Sequence, residues 1–296
     1  MSENYIKSPF NYIGNKHRLL AQILPLFPQN IETFYDVFCG GLDVSVNVKA
    51  DRKIANDINY FVIEILEMFK KTDSKELLKN IDNVISEFNL SKENKESYYE
   101  FREYYNKNKD PLLLYVLMCY SFNYQFRFNS NHDYNNPSGT NRSSFNENMK
   151  NRLTSFRDKL FNIEFSNKNF KEFDFSKIKS SDFVYCDPPY RSSVGSYNDG
   201  KRGFEGWTLD DDLALFEILD ELDNLIDKFN NTDFVNNMRY LKDEIRNNKL
   251  INTKDVKKLY ENEVIHRYIE NENILDFHIY YLNKEINKLI NNKICR

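Results

Sequence analysis

No two cysteines stand in a C-x-x-C pair. The four present, Cys39, Cys119, Cys186 and Cys295, are too far apart for a zinc knuckle or a disulfide framework. They predict reduced, largely buried thiols in a cytoplasmic protein. No apolar run approaches membrane-spanning length, and none opens the chain as a secretory leader would, so no membrane association is expected. Positive charge is not in excess either: the formal net charge is −4. That excludes a global basic field, and any contact with nucleic acid must rest on a local surface. Glycine and proline are scarce, at eight and seven among 296 residues, so the places where they cluster carry information.

Hydrophobic residues make up 41% of the chain, enough for a sizeable core. Residues 15–24 read as a short helix stopped by Pro25. Phe34–Phe38 reads as a buried strand ended by Cys39-Gly40-Gly41, and Lys53–Asp57 as the next strand. This spacing fits a β–loop–helix–β unit. Residues 59–70 read as a helix, and 74–122 as mostly helical, with Asp110-Pro111 as a start signal. Residues 123–148 form a long irregular loop rich in Asn, Ser, Arg and aromatics, followed by a helix over 149–161. Strands are expected at 162–166 and 182–186, and a helix opened by Thr208–Asp211 runs to about Leu222. Residues 224–296 read as mainly helical, with Asp276–Leu282 the one stretch of strand character.

Asp187-Pro188-Pro189-Tyr190 follows directly on the strand ending at Cys186. Ligands of open α/β sheets bind beyond the carboxyl ends of strands. Two prolines stiffen the turn, which can hold a carboxylate, a carbonyl and an aromatic face in fixed relation. Such a set suits an exocyclic amine such as that of adenine, whose lone pair is delocalised into the ring. Asp187 and the Pro188 carbonyl would accept its two N–H bonds and draw the nitrogen toward tetrahedral geometry. Tyr190 would stack on a base extruded from the duplex. The competing reading is a proline-stiffened surface turn.

Two weaker features precede it. Asp36-Val-Phe38-Cys-Gly40-Gly41 is a strand end at which a ligand can approach backbone closely. Asp57 lies at the end of the next strand, where an acidic residue commonly binds ribose hydroxyls. Lys16, in Tyr12-Ile-Gly14-Asn15-Lys16, is either solvated or faces an anion, such as the carboxylate of a methionine-derived donor.

Within 121–160, six Lys/Arg face three Asp/Glu, a local excess of three positive charges interleaved with aromatics. That pattern fits a DNA-facing loop as well as a solvated polar loop. Asp210-Asp211-Asp212 is read as favouring a helix start, and nothing in the sequence suggests a metal.

Together these residues resemble the Dam-type class of adenine-N6 DNA methyltransferases. Asn11–Lys16 is similar to the family's N-terminal motif, with Tyr12 in place of Trp. Asp36–Gly41 resembles its donor-binding loop, and Asn56–Asn59 its ribose-contacting motif. Asp187–Tyr190 is identical to its catalytic tetrapeptide. Arg127-Phe-Asn129, Asn136-Pro-Ser-Gly139 and Arg142 resemble its recognition signature, and the stretch from Gly195 to Phe204 looks like that after the tetrapeptide in several members.

The resemblance spans roughly residues 5–222. It implies an α/β, doubly wound, Rossmann-like methyltransferase sheet using S-adenosylmethionine. Residues 1–70 and 160–223 would form the donor-binding catalytic domain, and 71–159 a helical insertion carrying the recognition loop. Residues 224–296 would be an atypical C-terminal segment, because no family-like buried strand is evident there.

By resemblance, Tyr12, Lys16, Asp36, Phe38, Gly40, Asp57 and Asp187 bind the donor, and Asp187, Pro188 and Tyr190 act on the base. Arg127, Asn129, Asn136 and Arg142 meet DNA. Double-stranded DNA is the implied partner, with a cognate restriction endonuclease where the enzyme belongs to such a pair. Two alternatives stand beside this reading. One is a catalytically impaired DNA-binding descendant. The other is a methyltransferase for RNA, protein or cytosine, classes that more often carry Asn or Ser before the prolines.

Overall fold

The computed structural model describes residues 5–189 and 207–226. Strand β1 (Thr33–Asp36) is buried at all four positions. A strand covered on both faces belongs inside a parallel sheet. There β2 (Arg52–Asn56) flanks β1 on one side and β4 (Phe183–Tyr185) on the other, both parallel. β3 (Ile163–Ser166) pairs parallel with β2, so the order is β3-β2-β1-β4. The α/β expectation is met. The chain order turns about between β1 and β4, which opens a crevice at their carboxyl ends.

The first helix differs from expectation at its end. The chain coils from His17 through α1 (Leu20–Ile23) to Leu26, and Pro25 lies within the closing 3-10 turn rather than stopping the helix before it. Near the start of a turn the missing proline N–H has no partner to lose. The next helices are set by their caps. Asn59 accepts from Phe61 N–H to start α2 (Tyr60–Lys71), and Asp73 accepts from Lys75 and Glu76 N–H to start α3 (Ser74–Glu87). Helix α4 (Lys95–Asn108) ends on Lys109 in the left-handed region (φ 56°). Asp110 with Pro111 starts α5 (Pro111–Tyr120), as the sequence predicts.

Asn146 caps α6 (Glu147–Arg157). This helix starts earlier and stops earlier than the span read from the sequence. Thr208 and Asp211 form a reciprocal capping box at the start of α7 (Leu209–Ile226): Thr208 N–H donates to Asp211 at 2.9 Å, and Asp211 N–H donates to Thr208 Oγ1 at 3.2 Å.

Helix α5 is apolar nearly all round and buried from Leu114 to Tyr120. Its cluster runs unbroken through Phe69 and Phe61 of α2 to Ala55 and Ile163 of the sheet. The opposite face of the sheet is covered by Leu20, Ile23 and Phe27, which pack on Phe34, Phe183 and Tyr185. Cys39, Cys119 and Cys186 are buried free thiols. Among the described residues no helix is long and apolar enough to cross a membrane. Tyr190, the 195–204 stretch, Cys295 and residues 227–296 of the C-terminal segment lie outside the described residues.

Candidate active site

A cavity of about 660 Å³ opens in the crevice between the ends of β1 and β4. Pockets for nucleotide-sized ligands have volumes of about 300–1,000 Å³. The cavity is lined by Tyr12 and Lys16, by Asp36, Phe38 and Gly40, and by Asp57 and Asp187. Every residue assigned to the donor from sequence therefore lies on one wall or another of a single space.

The turn after β1 requires glycine. Gly40 has φ +46°, a conformation that residues with a Cβ rarely adopt. A Cβ placed there would lie 2.9 Å from Tyr12 Cδ1, so Tyr12 packs directly on the glycine turn. Gly40 N–H donates to Asp57 Oδ2 and Asn59 N–H to Asp57 Oδ1, each at 2.8 Å. Asp57 thus braces the turn after β1 against the start of α2. The Asn59 amide adds a 3.3 Å bond to the Tyr12 hydroxyl. Asn56 donates to Val37 O and Lys168 O, and so holds the loops beyond β1 and β3 together.

Asp36 is 1% exposed. Its Oδ2 accepts from Ser45 Oγ at 2.5 Å, while Oδ1 is buried with no hydrogen-bond partner among the described residues. Burial pushes its carboxyl up to about 7, against the opposing Ser45 bond, and the charges of Asp187 and Asp57 push the same way. Asp187 lies two residues beyond β4, and its carboxylate is ion-paired with Lys16. Lys16 also donates to Gly14 O at 2.8 Å. An anion does face Lys16, and it belongs to this chain. Pro188 is buried behind Asp187, and Pro189 lines the cavity.

An aromatic wall completes the space. Phe38 meets Phe170 and Trp207 at ring-centroid distances of 5.6 Å each, and Phe170 meets Trp207 at 5.1 Å. Sequence reasoning missed Phe170 and Trp207. The one usable signal was that Trp207, the only tryptophan, immediately precedes the capping box. The Asp210–Asp212 run serves the helix start and its surroundings: Lys171 pairs with Asp211 at 2.6 Å, and Trp207 Nε1 donates to Asp212 at 2.6 Å.

The 123–148 loop meets the cavity through Phe126, and Asn11 Nδ2 donates to Asn123 O at 2.7 Å. Arg127 and Arg142 are exposed. Asn129 and Asn136 are turned to the loop itself. Asn129 Oδ1 accepts from Asn131 and Asp133 N–H, both at 2.9 Å, and the buried Asn136 amide donates to Phe122 O and Gln125 O. The structure thus separates the four residues into an exposed arginine pair and an inward asparagine pair.

A parallel sheet with a glycine turn, an acidic brace and a cavity at its switch point defines an open α/β protein with an acidic crevice beside β4. The chain belongs to the D12 class N6 adenine-specific DNA methyltransferase family, whose profile matches residues 12–274. That match reaches well into the C-terminal segment set apart by the sequence reading.

The chain is 51% identical over 225 residues to the type II methyltransferase M.FokI of Planomicrobium okeanokoites, covering 75% of this chain and 35% of that protein. It is 49% identical over 223 residues to the modification methylase StsI of Streptococcus sanguinis, covering 75% of this chain and 34% of that one. It therefore aligns with about a third of the length of these relatives. The DNA adenine methylase of Escherichia coli (strain K12) is 27% identical over 215 residues, 71% of this chain and 74% of that protein.

Proposed function

We propose that this chain transfers a methyl group from S-adenosylmethionine to N6 of adenine within a short double-stranded DNA sequence. The observation that carries the reading is the position of Asp187: it is fixed at the end of β4 by Lys16, between two prolines and the cavity that Asp57 and the Gly40 turn enclose.

The donor set fits the group. A sulfonium with an amino-acid tail is cationic at two centres, and Asp36, Asp57 and Asp187 line the same space, with Asp36 Oδ1 unpartnered among the described residues. The Phe38–Phe170–Trp207 wall offers apolar cover for a nucleoside base. When bound, S-adenosylmethionine supplies an electrophilic methyl group.

The chain's own residues then act on the adenine. Asp187 and the Pro188 carbonyl accept the two N–H bonds of the exocyclic amine and draw the nitrogen toward tetrahedral geometry, freeing its lone pair. Lys16 is the counter-charge that holds Asp187 at the wall until those N–H groups compete for it. Tyr190, assigned from the family resemblance, stacks on the extruded base. Arg127 and Arg142 meet the DNA directly, and Asn129 and Asn136 contribute by shaping the loop. The names of the relatives support a companion restriction endonuclease for the same site.

The test is nucleoside mass spectrometry of mixed-sequence DNA incubated with the protein and S-adenosylmethionine. N6-methyladenine is expected. DNA binding without it would mean an impaired descendant, and a modified cytosine would mean another class of methyltransferase.

A further inference from the structure

Residues 127–129 and 133–135 run antiparallel. Asn129 N–H donates to Asp133 O at 2.8 Å, Asn135 N–H donates to Arg127 O at 3.0 Å, and Phe128 bridges Tyr134. The outward arm carries Arg127; the return arm carries Asp133 to Asn135. Such a short ribbon is marginal on its own, so something else must hold it.

Helix α4 does so with one face. Tyr98 hydroxyl donates to Asn136 O at 2.8 Å, and Arg102 Nη1 donates to the same carbonyl at 3.3 Å. One turn on, Asn106 meets the Tyr134 backbone twice: its Oδ1 accepts from Tyr134 N–H at 2.8 Å, and its Nδ2 donates to Tyr134 O at 3.1 Å. At the helix end, Lys109 Nζ donates to His132 O at 2.8 Å and pairs with Asp133 at 2.9 Å. Spacings of four, four and three residues keep these side chains on one side of the helix. Their partners descend the loop in order, from Asn136 through Tyr134 to His132. Asn106 completes both hydrogen bonds of one loop residue, as a neighbouring strand would.

The outward arm is held from below by Phe128, whose ring stacks on Phe61 of α2 with centroids 4.0 Å apart. A one-residue slip of the ribbon would turn Phe128 out and Arg127 in.

We propose that α4 is the specificity-positioning element of this site. Tyr98, Arg102, Asn106 and Lys109 fix the register of the loop, so that Arg127 addresses one base pair. They act through the backbone of 132–136 without touching DNA. This rests on the reading of the loop as the part that meets DNA. A bidentate arginine discriminates only while its fork is aligned, so freeing the ribbon lowers discrimination between sites and leaves the donor cavity intact.

The experiment compares the full-length wild type with Asn106→Ala, by mapping N6-methyladenine across mixed-sequence DNA and by steady-state kinetics on the mapped site and its single-base variants. The expected result is kcat within about twofold of wild type at saturating DNA, with the ratio of kcat/KM between the mapped site and its variants falling about tenfold, the scale of one base contact. Lys109→Met, which keeps an unbranched side chain and removes the ammonium that clamps His132 and Asp133 and lies over the Tyr105 ring, should act in the same direction, and it decides the matter if Asn106→Ala does not fold. Equal loss on all sequences, or an unchanged ratio, would overturn the proposal alone. No N6-methyladenine with wild type would instead overturn the methyltransferase reading, and this inference with it.

Discussion

The ammonium of Lys16 rests on the carboxylate of Asp187, tying the turn at Gly14 to the segment that leaves β4. The two side chains are only 12% and 15% exposed, so the pair is partly desolvated. When that carboxylate is removed, Lys16 still has a second acceptor in Gly14 O at 2.8 Å. Asp187→Ala should abolish methyl transfer while leaving the fold largely intact, because the carboxylate serves the site and not the core. Transfer of labelled methyl to DNA, read beside circular dichroism, checks this, and wild-type turnover would remove Asp187 from the mechanism.

The buried carboxyl of Asp36 gives a signature with a definite sign. Its folded value, about 7, lies above the ordinary 3.8, so between those values the folded state binds more protons than the unfolded state. Stability therefore falls as pH rises through that window and levels off above it. At pH 8 the penalty is on the order of 4 kcal/mol. Asp36→Asn removes the titration, so its Tm relative to wild type should climb from pH 4 to pH 7. A difference that does not vary with pH would show that Asp36 titrates normally.

Gly40→Ala and Gly41→Ala should differ. At Gly40 a Cβ meets both a left-handed backbone and the Tyr12 ring at 2.9 Å; at Gly41 it meets Tyr12 Cβ at 3.2 Å with no positive φ. The backbone conformation alone costs about 1–2 kcal/mol at Gly40. Gly40→Ala should therefore lower Tm more, and should weaken donor binding in calorimetry by displacing Tyr12. Equal effects at the two positions would argue that the turn relaxes freely.

Arg127→Ala should lose about 1–3 kcal/mol of discrimination at one base-pair position. If the residue meets only phosphate, affinity should fall alike on all sequences, and the slope of log K against log salt should fall by about one. Titrations on the mapped site and on a scrambled duplex, at several salt concentrations, separate the two outcomes.

Where the chain announces an element by a run and a stop, that element was legible. β1 ends in glycines and β4 in prolines, while α5 and α7 open on Asp110-Pro111 and Thr208–Asp211. The gathering of Asp36, Asp57 and Asp187 around one cavity followed, because parallel strands bring their carboxyl ends to one side, and Tyr12 and Lys16 join them from the segment ahead of β1. The gripping face of α4 was not legible. Tyr98, Arg102, Asn106 and Lys109 look like a solvated helix face, and their partners are backbone atoms, which carry no residue identity. For the same reason the sequence groups Asn129 and Asn136 with the arginines: an amide that meets a base and one that meets the backbone of its own loop look alike in a sequence. The sequence leaves Lys16 either solvated or facing an anion, because nothing in local spacing connects it to Asp187.

Strand β1 gains its second neighbour late. Thr33 N–H bonds to Asp182 across 149 positions, and Phe34 pairs with Phe183. A nascent chain that has emerged only as far as β3 leaves the β4-facing edge of β1 bare, with Phe34 lacking its ring contact to Phe183. Translation that pauses or terminates before that point leaves an open strand edge able to pair with other chains. Products that stop before Phe183 should therefore aggregate more readily than the whole chain, which light scattering of the two would show.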